Sequence, residues 1–287
     1  MKRLFQIAAA TIALGAAPAA AAPAMWEVSD ADSSVFLFGS VHILPPELAW
    51  RTPLFEERLA AADAVYFEAD IGPLGVIATT FKVAGLMADS AANPWLQLLT
   101  DDERDKLGAA LSANKMTFEQ VAVMPPWLVA ISLQAQGLVE QGYKTDAGVD
   151  YVLQAELPKE RKGYFETAAQ QIDLLAGGTL EEEIEMLMAT VEPIEQMPEQ
   201  LDTMVEAWAE GAIDASLAEM LSQDVGMTDE YAEVLLYNRN RNWLPVIEDM
   251  LATNKQDFIV VGAAHLAGDG SVIDLLEKAG YTVSRIQ

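Results

Sequence analysis

The sequence contains two histidines, and each follows an apolar run at the same distance from a glycine. Gly39 and His42 lie in "VFLFGSVHIL" (residues 35–44), and Gly262 and His265 lie in "DFIVVGAAHL" (residues 257–266). Neutral imidazoles are frequent ligands of divalent metal ions, and two of them with one carboxylate leave coordination positions open for water and substrate. The repeated spacing predicts one shared metal site, and the alternative is two unrelated histidines that support the fold.

Two glutamates also stand at the ends of apolar segments. Glu68 lies in "YFEAD" and Glu166 in "FETAAQQ". We predict that Glu68 is either a metal ligand or the general base, with Asp70 as a competitor for that role. Glu166 is predicted to be catalytic, and the alternative for it is a carboxylate at the start of a helix.

A third candidate group lies in "YNRNRNW" (residues 237–243). On a helix, Arg239 and Trp243 share a face at i and i+4, and Asn240 lies beside them. An arginine in such a place can clamp a carboxylate or stabilise an oxyanion. Arg239 and Asn240 are therefore predicted catalytic residues, and the alternative is a salt bridge covered by an aromatic ring.

The elements that must position these residues are predicted strands at residues 34–39, 64–70, 162–167 and 257–262, with a fifth at 281–286. Their near-continuous apolar character favours strands covered on both faces. Sites in such folds gather beyond the carboxyl ends of the strands. The sequence therefore predicts an α+β fold, in which a central mixed β-sheet is flanked by helices and carries His42, Glu68, Glu166 and His265 at one edge.

The middle of the chain is predicted to be largely helical, as an insertion over about residues 72–240. Thr100 with Glu103 and Thr179 with Glu182 are capping-box pairs at predicted helix starts. Thr228 is predicted to begin another helix, and Pro126 and Pro245 are predicted to begin or kink helices. No linker rich in Gly, Ser or Pro divides residues 25–287, which are predicted to form one domain.

The first 24 residues have the composition of a secretory signal peptide. Lys2 and Arg3 precede an apolar stretch, and small residues with A-x-A sites follow it. We therefore expect a periplasmic or secreted protein without a stable membrane anchor after cleavage. The chain has no cysteine, 17 Lys and Arg, and 44 Asp and Glu, for a formal charge of −27. Such acidity disfavours nucleic acid and anionic lipid as partners.

In order along the chain, the segments "FGSVHILPP", "YFEAD", "GVDYVLQAE" with "FETAAQQ", "RNRNW" and "FIVVGAAHLAGDGSVIDLLEKAGYTVSRI" resemble the TraB/PrgY/GumN proteins. These are related to Tiki metalloproteases and to erythromycin-esterase-like and ChaN-like proteins. The resemblance implies that both Gly-x-x-His motifs and Glu68 belong to a peptidase-like site that uses manganese or cobalt, with zinc or iron as further options. The family's Arg-Asn pair matches Arg239 and Asn240, or Arg241 and Asn242 in the other register.

Together these observations predict an exported, divalent-metal-dependent hydrolase that acts on a peptide or protein. His42, His265 and Glu68 would hold the metal. The alternative is a non-catalytic periplasmic protein that binds haem, iron or a peptide in the same cleft. The sequence leaves the substrate, the native metal and the oligomeric state open.

Overall fold

A computed structural model of the chain describes residues 22–191, 197–212 and 232–287. The six strands in these residues form one sheet: β1 (Met25–Ser29), β2 (Ser34–Ser40), β3 (Ala64–Phe67), β4 (Lys162–Tyr164), β5 (Asp257–Gly262) and β6 (Thr282–Arg285). Their order is β4-β3-β5-β2-β1-β6. Strands β4, β3, β5 and β2 are parallel, whereas β1 runs antiparallel to both β2 and β6. The predicted mixed sheet is confirmed.

The helices in the described residues number eleven: α1 (Pro53–Ala61), α2 (Pro73–Ala92), α3 (Asp101–Ala113), α4 (Phe118–Val121), α5 (Pro126–Glu140), α6 (Val149–Glu156), α7 (Ala168–Leu175), α8 (Leu180–Val191), α9 (Met197–Ala209), α10 (Asn238–Ala252) and α11 (Val272–Ala279). A π-helical stretch, Glu233–Tyr237, leads directly into α10. Helices α2 to α9 all lie between β3 and β5 in sequence, and β4 is the one strand in the described part of this region.

Strand boundaries differ from the prediction where the chain turns toward the sheet edge. The strands predicted at 64–70 and 162–167 correspond to β3 and β4, which end at Phe67 and Tyr164. The predicted strands were too long because the backbone stops pairing after Phe67 and after Tyr164. Glu68 and Glu166 therefore lie beyond the end of the sheet. Strand β1 was not predicted, since the "MWEVS" sequence is short and carries a charge at Glu27.

The helix starts follow local capping chemistry. Thr100 and Glu103 form the predicted capping box at α3, and Thr179 and Glu182 exchange the same pair of hydrogen bonds before α8. Pro126 is the first residue of α5, where its missing N–H costs nothing. Pro245 lies inside α10. The helix start predicted at Thr228 lies outside the described residues.

Hydrophobic residues cover both faces of the sheet, as predicted. One core contains Phe38, Phe55, Phe67, Phe258 and Trp208. The opposite core contains Leu37, Trp243, Ile259 and Val261. The alternation of neighbouring residues such as Val260 and Val261 between these cores is the two-residue period of a strand. A separate helical core joins α3, α5 and α8 through residues that include Leu107, Leu133 and Leu187.

Candidate functional site

Four neighbouring parallel strands bring the predicted site residues to one edge of the sheet. His42 follows β2, Glu68 follows β3, Glu166 follows β4, and His265 follows β5. The registers align their ends, because Ser40 pairs with Gly262 and Phe67 is level with Val260 and Tyr164. The 223-residue separation of the two histidines in sequence is thus closed by adjacent strands.

Gly262 marks the point on which three of these side chains converge. A Cβ atom at this glycine would lie 3.1 Å from Glu68 Oε1, 3.6 Å from His265 Cδ2 and 3.9 Å from His42 Nε2. Its backbone N–H donates a 2.7 Å hydrogen bond to Glu68 Oε1. A side chain here would fill the space between the carboxylate and the two rings, so glycine is the residue that leaves the cleft open.

His265 is buried and held on both ring nitrogens. Its Nδ1 is 2.6 Å from Asn240 Oδ1, and the Asn240 Nδ2 donates to the carbonyl of Gly270 at 2.9 Å. Because this second bond fixes the amide with Oδ1 as the acceptor, the His265 proton is on Nδ1 and the Nε2 lone pair accepts from Arg239. Burial lowers the pKa of His265 to about 4, so the ring is neutral at neutral pH. The Trp243 ring packs against it at 4.4 Å between centroids.

His42 lies on the open side of the cleft, with 65% of its side chain exposed. Its Nδ1 donates to Asp150 Oδ2 at 2.8 Å, while Asp150 Oδ1 accepts from the Ser40 hydroxyl at 3.1 Å. Attraction to Asp150 raises the pKa of His42 to about 9. Carboxylate–histidine pairs of this kind fix the tautomer and the ring orientation of metal-binding histidines, and here they direct Nε2 toward the cleft.

Asp150 is a site residue that the sequence prediction missed. It lies in the first turn of α6, in "GVDYVLQAE", where an acidic residue has an ordinary explanation in the helix dipole. Its side chain is buried, at 8% exposure. Gly148 allows this placement, because a Cβ there would lie 2.0 Å from the His42 carbonyl oxygen. The only sequence signal was the position of Asp150 within a segment that resembles the family.

Glu68 is buried at the centre of the cleft, and its two oxygens have different surroundings. Oε1 accepts from Gly262 N and lies 3.6 Å from His265 Nε2. Oε2 accepts from the Arg239 guanidinium and from Gln171 Nε2, the latter at 3.0 Å. Burial acts to raise the pKa of Glu68, but attraction to His265, Arg239 and His42 outweighs it and lowers that pKa to about 2. The carboxylate is therefore ionised.

Arg239 donates every N–H that it has to the two glutamates, His265 and the Leu235 carbonyl. Nε donates to Glu166, the two N–H groups of NH1 reach the Leu235 carbonyl and His265 Nε2 at 3.0 Å each, and NH2 donates to Glu68 and Glu166. A guanidinium has five N–H donors, so none is left for a substrate in this arrangement. These contacts, with the Trp243 ring 4.9 Å from the guanidinium carbon, are those of the alternative interpretation, a salt bridge covered by an aromatic ring, and a catalytic role of Arg239 stays a prediction.

Glu166 completes the network below Arg239. Its Oε1 also accepts from Trp243 Nε1 at 3.0 Å, and its Oε2 lies 3.4 Å from Gln171 Nε2. All of its bonds point into the protein, which makes it a group that positions Arg239. Gln171 is a second residue that sequence reasoning missed, although it stands in the quoted "FETAAQQ" segment.

The structure separates the two possible registers of the Arg-Asn pair. Arg239 and Asn240 are buried in the site. Arg241 is about half-exposed and pairs with Glu233 and Asn238 at the surface. Asn242 is exposed as well. Asp70, the competitor of Glu68, accepts from Gly72 N at 2.8 Å and lies at the rim.

The donor types of the cleft suit a divalent ion, since two imidazole nitrogens and a carboxylate oxygen face one space with their tautomers fixed by Asp150 and Asn240. Their present arrangement is organised around Arg239, however, which binds Glu68 Oε2 and His265 Nε2. Within the described residues, no three His, Asp or Glu side chains are placed to coordinate a metal as they stand. Metal binding at these donors therefore requires the bonds to Arg239 to be exchanged.

Comparison with known proteins identifies the family. The family model for the TraB/PrgY/gumN family matches residues 24–285. The "Uncharacterized protein YbaP" of Escherichia coli (strain K12) is 23% identical over 257 residues, which cover 84% of this chain and 86% of that protein. The protein of the same description from Shigella flexneri matches with the same values. No solved structure matches significantly. The chain belongs to the TraB/PrgY/gumN family.

Proposed function

We propose that this member of the TraB/PrgY/gumN family is an exported, divalent-metal-dependent hydrolase that cleaves peptides. The observation that carries the proposal is the convergence of His42 Nε2, His265 and Glu68 Oε1 on the space at Gly262. Three side chains of suitable type, separated widely in sequence, come together beside this glycine at the edge of the sheet.

In the proposed enzyme, His42, His265 and Glu68 hold the ion, and manganese or cobalt is the expected metal. When bound, the ion would polarise the scissile carbonyl and lower the pKa of a bound water toward ~7. His42 must lose its Nε2 proton before this nitrogen can coordinate, because only unprotonated imidazole is a ligand. Asp150 and Asn240 hold the two rings in the tautomers that coordination needs.

Glu68, Arg239, Glu166 and Asn240 have different roles in this proposal. Glu68 offers Oε1 to the cleft as a ligand or as the general base. Arg239 compensates the charges of two buried carboxylates and stabilises an oxyanion only after one of its present bonds is released. Glu166 holds Arg239, and Asn240 holds His265, so both act through another residue.

The test uses the purified chain without its first 24 residues and a mixed peptide pool, with cleavage products identified by mass spectrometry. We expect cleavage with manganese or cobalt, loss of cleavage with chelator, and background rates for His42→Ala and His265→Ala. Glu119→Gln, an exposed surface change, is the control and should retain the wild-type rate. Stoichiometric binding of haem, iron or peptide with no cleavage under any divalent metal would instead support the non-catalytic alternative.

A further inference from the structure

Helix α2 is an apolar helix that the core of the protein does not bury. Gly75 is its single buried residue. Val76, which lines the groove described next, is 55% exposed, and Leu74, Ile77 and Phe81, which lie outside that groove, are between 52% and 76% exposed. By length and composition α2 is the one helix in the described chain that could cross a membrane, with 6% of its most apolar window buried. Such an exposed apolar surface requires an explanation, since soluble proteins rarely retain one without a use for it.

A groove lies between α2 and α7 on the side of α2 that faces the site. Its volume is about 590 Å³, which is within the range of small-ligand clefts, and the groove is widely open to solvent. The walls are apolar, with Val76, Val83 and Ala84 from α2 and Ile172 and Leu175 from α7.

The threonines of the groove add little polarity. The Thr79 hydroxyl donates to the Gly75 carbonyl at 2.8 Å, and the Thr80 hydroxyl donates to the Val76 carbonyl at 2.7 Å. Both hydroxyls are thus used within the helix, and methyl groups remain for contact. Among the described residues that line the groove, Asp70 is the charged one. The groove therefore suits uncharged, apolar side chains.

The groove borders the candidate site at Gln171. Gln171 lines it and donates to Glu68 Oε2 at 3.0 Å. Asp70 lines it as well and stands two residues after Glu68 in the chain. A polypeptide whose scissile bond reaches Glu68 would therefore lay the neighbouring residues along α2 and α7.

We propose that this groove, here called the α2–α7 groove, is a substrate subsite that binds apolar side chains of a peptide on one side of the bond to be cleaved. The inference rests on the proposed hydrolase function and adds its substrate class. A lipid surface fits the observations less well, because the chain has a formal charge of −27 and would be repelled by anionic headgroups. A second copy of the same anionic chain would be repelled too.

The experiment measures peptide binding in the presence of chelator, so that no cleavage occurs. The probes are two dye-labelled, end-capped hexapeptides, one of four alanines and two leucines, and one with serines in place of the leucines. Fluorescence anisotropy with the wild-type chain should show about tenfold tighter binding of the leucine peptide. Ala84→Trp should remove most of this preference by filling the groove.

Ala78→Trp is the matched control, since it makes the same change on an exposed position of the same helix outside the groove. It should bind the leucine peptide as the wild type does. Ile172→Ser, on the facing wall, should weaken that binding without adding bulk. Equal binding of both peptides by the wild type, or equal effects of Ala84→Trp and Ala78→Trp, would overturn the proposal.

Two further measurements separate this inference from the proposed function. If the leucine peptide binds in the groove but no peptide is cleaved with manganese or cobalt, the hydrolase proposal fails and the binding subsite remains. If peptides are cleaved and Ala84→Trp leaves rates and sequence preference unchanged, the subsite fails and the hydrolase remains. If the protein does not bind the leucine peptide but associates with phosphatidylcholine vesicles, the apolar surface binds lipid and the subsite is overturned. If it instead self-associates, the surface binds a second copy and the subsite is overturned as well.

Discussion

Replacement of Arg239 by methionine is expected to destabilise the ion-free protein and to tighten its binding of metal. The change keeps a long side chain on α10 but removes the guanidinium that binds Glu68, Glu166 and His265. Glu68 and Glu166 are both nearly buried, at 9% and 11% side-chain exposure. Without Arg239 these two carboxylates lose their principal cation, while the Glu68 Oε2 and His265 Nε2 atoms become free to coordinate.

The size of the effect follows from the burial of the network. Removing one partner of a buried ion pair costs about 3–5 kcal/mol of unfolding free energy, because the remaining charge stays buried without compensation. This is a large part of the ~5–15 kcal/mol that stabilises an ordinary domain. A divalent ion present at 100 times its dissociation constant returns about 2.7 kcal/mol. Manganese should therefore stabilise Arg239→Met more than it stabilises the wild type.

The assay is urea unfolding in metal-free buffer and in manganese, combined with calorimetric titration of manganese into the folded protein. Arg241→Met, two residues along the same helix, is the control, because Arg241 is about half-exposed and its removal should cost less than about 0.5 kcal/mol. The reasoning is refuted if Arg239→Met binds manganese no more tightly than the wild type, since Arg239 would then not compete for the metal donors.

Three further changes test other parts of the structure. Asp150→Asn should lower the pKa of His42 from about 9 toward its usual range, which NMR titration measures; an unchanged pKa would show that Asp150 is not its cause. Gly262→Ala places a Cβ 3.1 Å from Glu68 Oε1 and should abolish metal binding while circular dichroism stays native; wild-type affinity would contradict the convergence. Burial raises the pKa of Glu183 from 4.5 to about 7, so the folded state binds this proton more tightly and the free energy of unfolding falls as pH rises between those values. Glu183→Gln has no carboxylate to ionise and should melt at a higher temperature than the wild type at pH 8 but not at pH 4. An equal difference at both pH values would refute the raised pKa of Glu183.

The sheet and the position of its polar edge could be predicted because strand composition is a local property. Apolar runs such as "VFLFG" and "DFIVVG" identify buried strands, and the residues that follow them must lie at strand ends. The register that sets His42 beside His265 depends on the pairing of β2 with β5, which no local pattern encodes. The repeated Gly-x-x-His spacing was the only sequence feature that predicted the two histidines to share one site.

The residues that the prediction missed act through contacts with distant segments. Asp150 supports His42 across 108 positions, and Gln171 supports Glu68 across 103. Each has an ordinary local explanation on its own helix, so composition and spacing do not distinguish it from a surface residue. The exposure of α2 was missed for the same reason, because an apolar composition does not tell a buried helix from an exposed one.

The network around Arg239 connects the stability of the fold to the proposed chemistry of the site. Two carboxylates near the end of a sheet repel each other unless a cation lies between them, and here one arginine from α10 serves both. A metal ion bound to Glu68 and His265 would take over part of this charge compensation and free N–H groups of Arg239 to face a substrate. Exchange between the two cations would thus convert Arg239 from a structural partner of Glu68 into a donor for an oxyanion, so metal loading and assembly of the complete site would be one event.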